Sequence, residues 1–178
     1  MNTSAQQQRN TGSPMGEPAQ YLTFMLGGEM FAIGILAIKE IIEYHALTEV
    51  PMMPPSVRGV INLRGAVVPV VDLRARFGQP PSEITKRSCI VIVEIQSGDD
   101  RQVTGVVVDA VSEVLEIAAE DIEPPPTFGA RIRSDFIQGM GKVKSRFVIL
   151  LDVNHVLSLE ELGGIASLAS ETQGEAAY

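Results

Sequence analysis

The chain has 178 residues and a formal net charge of −8, from 14 Lys and Arg against 22 Asp and Glu. This surplus of acidic residues argues against a nucleic-acid-binding protein, because neutralising phosphates requires an excess of Lys and Arg. The single cysteine, Cys89, excludes an internal disulfide and a Cys-rich zinc site.

No stretch reaches the roughly 18 consecutive apolar residues of a membrane-spanning helix, so direct membrane insertion is not expected. The polar N-terminal region lacks the apolar segment of a signal peptide. Together with the single cysteine, these absences predict a soluble, cytoplasmic protein. Because 45% of the residues are apolar, we also expect a sizeable core. Aromatic residues make up only 5%, so we expect this core to consist of Val, Ile and Leu.

Residues 1–19 are predicted to form a disordered tail, since they cannot bury enough apolar surface to offset the entropy lost on ordering. Apolar alternation begins at Tyr21 and is interrupted by Gly27 and Gly28. This pattern predicts a β-hairpin with a tight turn, because the central positions of such turns favour glycine.

Further strands are predicted downstream. Residues 88–95 and 103–111 indicate a second hairpin around a longer loop at 96–102, and residues 67–73 and 146–153 indicate short buried strands. Pro69 lacks an N–H donor, which predicts an edge strand or a bulge at its position. Short strands punctuated by Gly and Pro favour an all-β barrel or sandwich.

An internal repeat organises the chain. Two pairs of segments align: IKEIIE (38–43) with VSEVLE (111–116), and residues 58–73 with residues 138–153. The approximate repeats, 20–80 and 87–157, are each small for an independent core. We therefore expect two similar β subdomains that pack on each other through a shared interface of Val, Ile and Leu.

Asp72 and Asp152 end apolar strands at matched positions of the repeat. Each precedes a short helical stretch, so we predict helix N-caps rather than catalytic residues. Gly78 is predicted to end the first of these stretches. Residues 157–169 predict a short C-terminal helix, and residues 166–178 a flexible acidic tail.

The sequence lacks the motifs of common enzyme classes. His45 and His155 lie in different repeats without metal-ligand spacing, and Cys89 lies in an apolar strand that indicates a buried thiol. Neither a Walker A motif nor GxGxxG is present. We therefore expect a binding module without metal or cofactor. The alternative is an unrelated ligand-binding or enzymatic β-barrel, which requires convergent polar groups in a pocket.

One ion pair is predicted from the repeat. The acids Glu40 and Glu113 recur at equivalent positions, as do the bases Arg64 and Lys144. Arg64 directly precedes a buried run, where a guanidinium requires a carboxylate partner. We predict that Glu40 pairs with Arg64; the alternative is that both are independently solvated.

The block RGVINLRGAVVPVVDLRARFG (58–78) resembles the CheW family of chemotaxis coupling proteins. The opening YLTFMLGGEMFAIGI and the later blocks VTGVVVDAVSEVL, IEPPP and FVILLDV agree in order, over about residues 20–165. The resemblance implies two packed five-stranded SH3-like β-barrels without enzymatic activity. It also implies an adaptor between the cytoplasmic tips of chemoreceptors and the regulatory domain of the histidine kinase CheA, in extended arrays.

The resemblance also implies interaction residues. Those assigned to the receptor are Ile38, Glu40, Asn62, Leu63 and Arg64, and Gly59 is assigned to the kinase or another partner. We expect an apolar groove between the barrels, lined by Ile38 and the NLRG segment, to take the helical receptor tip. The segment KVKSRF (142–147) departs from the family pattern, in which this hairpin is more neutral.

Two related classes remain open. The chain resembles the kinase's own CheW-like regulatory domain, and it resembles a coupler domain fused to a receiver. The polar N-terminal region and the acidic C-terminal region favour a stand-alone protein.

Overall fold

The computed structural model describes residues 18–125 and 133–158. Within these ranges the chain forms eleven strands, three 3₁₀ turns and two short helices, which confirms the predicted all-β class. Residues 1–17 of the predicted N-terminal tail, and residues 159–178 of the predicted C-terminal helix and acidic tail, lie outside the described residues.

The strands are β1 (Ala19–Leu26), β2 (Glu29–Gly34), β3 (Ile38–Glu43), β4 (Val57–Leu63), β5 (Ala66–Asp72), β6 (Cys89–Ser97), β7 (Asp100–Val108), β8 (Ala110–Ile117), β9 (Ile122–Glu123), β10 (Ile137–Val143) and β11 (Arg146–Leu151). The helices are α1 (Leu73–Arg76) and α2 (Val153–Val156), and the 3₁₀ turns span Ile35–Ala37, Ala119–Asp121 and Ser134–Phe136.

The strands form two sheets with the same internal order. The first subdomain is the five-stranded sheet β3-β6-β7-β5-β4, and the second subdomain is the sheet β8-β1-β2-β11-β10-β9. Across each sheet, an edge strand lies beside a hairpin. The second strand of that hairpin pairs in parallel with the next strand of the sheet, which in turn pairs antiparallel with its own hairpin partner. The predicted pair of similar five-stranded units is therefore present, with β9 as an added two-residue strand.

Each subdomain combines parts of both sequence repeats. The hairpin β1–β2 belongs to the first repeat but lies between β8 and β11 of the second. The hairpin β6–β7 belongs to the second repeat but lies between β3 and β5 of the first. The two repeats have thus exchanged equivalent hairpins, which an alignment of the repeats does not reveal.

The two-residue turn of the first hairpin is confirmed. Gly27 and Gly28 both have positive φ, at 57° and 85°, as such a turn requires. The longer loop predicted at 96–102 is wrong, because Ser97 pairs with Asp100 and only two residues lie between them. The strands continue through this polar stretch because Gln96, Asp100 and Arg101 are exposed at this end of the hairpin.

Pro69 does not lie in an edge strand, because β5 has β7 on one side and β4 on the other. Pro69 pairs with Val60 of β4, and the parallel ladder with β7 begins only at Val70. Pro69 is therefore tolerated in an interior strand, because the parallel pairing with β7, which would require an N–H, begins one residue later at Val70.

Three apolar clusters form the core. One fills each subdomain, and the third lies between the subdomains and draws residues from both sheets, as predicted for the shared interface. Phe24, Phe31, Phe77 and Phe136 form a chain of ring contacts in the third cluster, with centroids 5.7 to 6.2 Å apart. The expectation of a purely aliphatic core is therefore wrong, because the few aromatic rings are concentrated in this interface.

Both predicted N-caps are confirmed. The Asp72 carboxylate accepts a 3.0 Å hydrogen bond from the N–H of Arg74 in α1. The Asp152 carboxylate accepts a 3.2 Å bond from the N–H of His155 in α2. Gly78 follows α1 with a φ of 83°, as expected for the residue that ends a helix.

Candidate functional site

The predicted pair of Glu40 and Arg64 is present. Glu40 lies on β3 and Arg64 lies in the β4–β5 turn, so the pair joins the two opposite edges of the first sheet. Arg64 donates from Nη1 to Oε2 and from Nη2 to Oε1, the latter at 3.0 Å. The bidentate geometry fixes both side chains, while 73% of the Arg64 side chain stays exposed against 27% for Glu40.

The ion pair shifts the pKa of both side chains. The hydrogen bond from Arg64 lowers the pKa of Glu40 below its ordinary value of 4.5, against a smaller opposing effect of desolvation. The hydrogen bond to Glu40 likewise raises the pKa of Arg64. At neutral pH the site is therefore a carboxylate and a guanidinium held in contact.

The NLRG segment is a tight turn that presents Arg64. Arg64 and Gly65 have φ values of 52° and 88°, so both adopt the left-handed conformation of a two-residue hairpin turn. The Oδ1 atom of Asn62 accepts a 2.9 Å hydrogen bond from the N–H of Gly65. Asn62 therefore stabilises the turn, while Leu63 packs on the interior cluster of the first subdomain.

Ile38 is the first residue of β3. It is partly buried and packs against the cluster between the subdomains. The structure thus brings Glu40 and Arg64 together, but places Ile38 and Leu63 against different core clusters. The groove expected between Ile38 and the NLRG segment stays a prediction.

A cavity of about 680 Å³ lies beside the Ile35–Ala37 turn that leads into Ile38. Its other walls are the start of β1, the start of α2, and Gln138 of β10. Leu36 borders this cavity and is fully exposed. Sequence reasoning did not identify Leu36, because an apolar run gives no sign of which of its residues is exposed to solvent.

Gly59 has a structural reason for being glycine. A Cβ atom at this position would lie 2.5 Å from the carbonyl oxygen of Thr48, well inside contact distance. Thr48 lies beside β4 and exchanges backbone hydrogen bonds of 3.0 and 2.9 Å with Val60 of that strand. These bonds hold the Thr48 carbonyl in place. The assignment of Gly59 to partner binding stays a prediction.

A buried pair of Arg58 and Asp72 was not anticipated. Arg58 Nη1 donates to Asp72 Oδ2 at 2.7 Å, and the Asp72 side chain is fully buried. Ser82 adds hydrogen bonds from its N–H and its hydroxyl, at 2.9 and 3.1 Å. The carboxylate therefore joins β4, β5, α1 and the following loop, and its bonding supports a structural role.

The second subdomain does not repeat the ion pair. Lys144 occupies the turn position equivalent to Arg64, and Glu113 the strand position equivalent to Glu40. No ion pair joins Glu113 to Lys144 among the residues that the structure describes. The matched acid and base therefore form a contact in the first subdomain alone.

Residues 18–125 and 133–158 contain neither a candidate metal site nor a membrane-spanning helix. No group of three or more His, Cys, Asp and Glu side chains lies close enough to hold a metal ion. No helix in this part of the chain has the length and apolar character needed to cross a bilayer.

Comparisons with a family model and with individual relatives agree on one family. The family model of the CheW-like domain matches residues 20–161. The chain is 34% identical over 158 residues to Chemotaxis protein CheW of Klebsiella aerogenes, covering 89% of this chain and 92% of that protein. It is 35% identical over 142 residues to Chemotaxis protein CheW of Rhizobium meliloti, covering 80% and 89%.

The fold agrees with the same family. The crystal structure of the scaffolding protein TtCheW from Thermoanaerobacter tengcongensis superposes with a TM-score of 0.71. The identity is 34%, and the match covers 78% of this chain and 87% of that chain. By sequence and by fold, this chain belongs to the CheW-like family.

Proposed function

We propose that this protein is a non-enzymatic adaptor of chemotaxis signalling, which couples the cytoplasmic tips of chemoreceptors to the histidine kinase CheA. The observation that carries the proposal is the match of the CheW-like domain to residues 20–161. Two packed subdomains with separate surfaces suit a protein that contacts two partners at once. The protein would act in the cytoplasm, in arrays where weak contacts gain strength through multivalency.

We assign receptor contact to the first subdomain. Arg64 uses Nη1 and Nη2 for Glu40, and a guanidinium carries five N–H donors in all. The remaining donors point from an exposed side chain, so a partner can accept hydrogen bonds from Arg64 while Glu40 fixes its orientation. Ile38, Asn62 and Leu63 support this surface through β3 and the turn.

Leu36 adds an apolar candidate directly before β3. It is fully exposed two residues before Ile38, at the rim of the 680 Å³ cavity. A receptor tip is helical, and helices dock through apolar side chains at regular spacing. We therefore place Leu36 among the residues that contact the receptor.

Gly59 would act indirectly. Its assignment to kinase contact rests on the family resemblance, and its close approach to Thr48 supports a role in shaping the edge of the first subdomain. A substitution at Gly59 would then weaken partner binding by displacing the backbone around Thr48, without a direct contact of its own.

The test is calorimetric titration of the purified protein with the kinase regulatory domain and with a soluble receptor-tip fragment. We expect binding to each, and binding of one in the presence of the other. Arg64→Ala should weaken receptor binding and leave kinase binding unchanged. Arg87→Ala is the matched control, because Arg87 is equally an exposed arginine but lies on the loop before β6. Absence of binding to both partners would refute the proposal.

A further inference from the structure

The hairpin at residues 142–147 of the second subdomain, called here the basic hairpin, is unusual for this chain. Lys142, Lys144 and Arg146 are all exposed, although the net charge of the chain is −8. None of the three forms an ion pair with another residue in the described part of the chain. The positive charge of this hairpin is therefore left without a carboxylate in contact.

The equivalent hairpin of the first subdomain provides an internal comparison. Its residues at the matched positions are Asn62, Arg64 and Ala66, so it carries one cation where the basic hairpin carries three. That cation is held by Glu40 in a bidentate pair. The excess of free cations is therefore specific to the second subdomain and does not follow from the repeat.

An exposed aromatic ring adjoins these cations. Phe147 follows Arg146 directly and is 51% exposed. It lines a cavity of about 400 Å³ together with Met25, Met30 and Met140. Methionine side chains adapt to different partners, and an exposed aromatic next to cationic residues is typical of protein interfaces.

The turn itself is conformationally unfavourable. Lys144 and Ser145 have φ values of 48° and 67°, a region in which side chains are disfavoured. The first subdomain has Gly65 at the position of Ser145, which avoids part of this strain. Strained residues in a surface turn are commonly retained for function.

We infer that the basic hairpin is a docking surface for an acidic protein surface, with its cations facing carboxylates of the partner and Phe147 entering an apolar recess among them. The partner is a protein, because the net charge of −8 repels an extended polyanion such as DNA or an anionic bilayer. The inference rests on the proposed function. Of its two partners, the kinase regulatory domain is the one expected here, because the residues assigned to the receptor lie in the first subdomain or next to it.

The test compares two variants that change the net charge equally. The first double variant, Lys142→Glu with Lys144→Glu, replaces two cations of the basic hairpin by acids. The second, Lys86→Glu with Arg87→Glu, does the same to two exposed cations on the loop before β6. Titration with the kinase regulatory domain at low and high salt should show a loss of affinity of about tenfold or more for the first variant and little change for the second. The wild-type affinity should fall with added salt, and the first variant should lose this dependence.

Phe147→Ala tests the apolar part, with Val67→Ala at the equivalent exposed position of the first subdomain as its control. The Phe147 variant should bind the kinase domain more weakly at every salt concentration, and the Val67 variant should bind it as the wild type does. Circular dichroism of each variant confirms that the fold is retained.

The outcomes separate the two claims. Equal kinase affinities for both charge variants would overturn the inference and leave the proposed function intact. Loss of receptor binding instead of kinase binding would also overturn it. Hairpin-dependent binding to anionic vesicles or to a DNA duplex would assign the surface to a polyanion and refute a protein partner. Absence of kinase binding by the wild type would refute the proposed function, and the inference with it.

Discussion

Gly59 and Gly139 occupy the same position in the two subdomains, and each lies beside a short segment that pairs antiparallel with the first strand of a hairpin. A Cβ atom at Gly59 would lie 2.5 Å from the Thr48 carbonyl oxygen. A Cβ atom at Gly139 would lie 2.5 Å from Cγ2 of Ile122 on β9. Both glycines also follow a shift of register in their hairpins, so the repeat preserves a close backbone approach as well as a sequence.

This relationship predicts that Gly59→Ala destabilises the protein by about 1–3 kcal/mol, because the added methyl group must displace backbone. Gly34→Ala is the control, since no atom lies within 4 Å of a Cβ there and φ is −55°. Its effect should stay within about 0.5 kcal/mol. Urea unfolding measures both variants, and similar stabilities would contradict the predicted clash at Thr48.

The bidentate pair predicts coupling between Glu40 and Arg64. Glu40→Arg and Arg64→Glu each place like charges in contact, so each should lower the free energy of unfolding and weaken receptor binding. The double reversal should recover part of the stability, because opposite charges then meet again. A double-mutant cycle on unfolding free energies measures the coupling. A coupling energy of zero would show that the pair does not act in solution.

The lowered pKa of Glu40 predicts a pH dependence. Its native pKa lies below the ordinary value of 4.5, so the unfolded state binds more protons as the pH falls through this range. The stabilisation by the pair is therefore complete above pH 4.5 and is lost as the pH falls through the native pKa. Urea unfolding of the wild type and of Glu40→Gln across this range measures the effect. A stability difference that does not change with pH would contradict it.

The buried Asp72 predicts a large stability effect. Asp72→Ala leaves the Arg58 guanidinium and the Ser82 donors without their carboxylate, which should cost about 3–5 kcal/mol. Asp152→Ala at the matched position of the second repeat removes a more exposed cap and should cost about 0.5–2 kcal/mol. Thermal or urea unfolding compares the two. Equal losses would show that the contacts of Asp72 beyond its cap contribute nothing.

Local features of this fold were accessible from the sequence. The first hairpin follows from Gly27 and Gly28, and the caps follow from Asp72 and Asp152 at strand ends. The pair of Glu40 and Arg64 was found because the repeat places an acid and a base at matched positions. In each case the decisive information lies within a few residues or in the comparison of the two halves.

Features that depend on tertiary register were not accessible. The partner of Asp72 is Arg58, which lies on the neighbouring strand and is brought near Asp72 by the register of the β4–β5 hairpin. The loop at 96–102 was predicted from polar composition, although an exposed hairpin end tolerates polar side chains. The exchange of hairpins leaves no trace in the sequence, because equivalent strands satisfy either arrangement.

That exchange has a mechanical consequence. Drawing the two sequence repeats apart would require pulling the β1–β2 hairpin from between β8 and β11, and β6–β7 from between β3 and β5, and each extraction breaks ladders on both sides. Neither repeat can therefore leave the other without breaking both sheets. A chain cut after β5 would not form a half-size version of this fold, since it would hold β1 and β2 of one sheet and β3, β4 and β5 of the other.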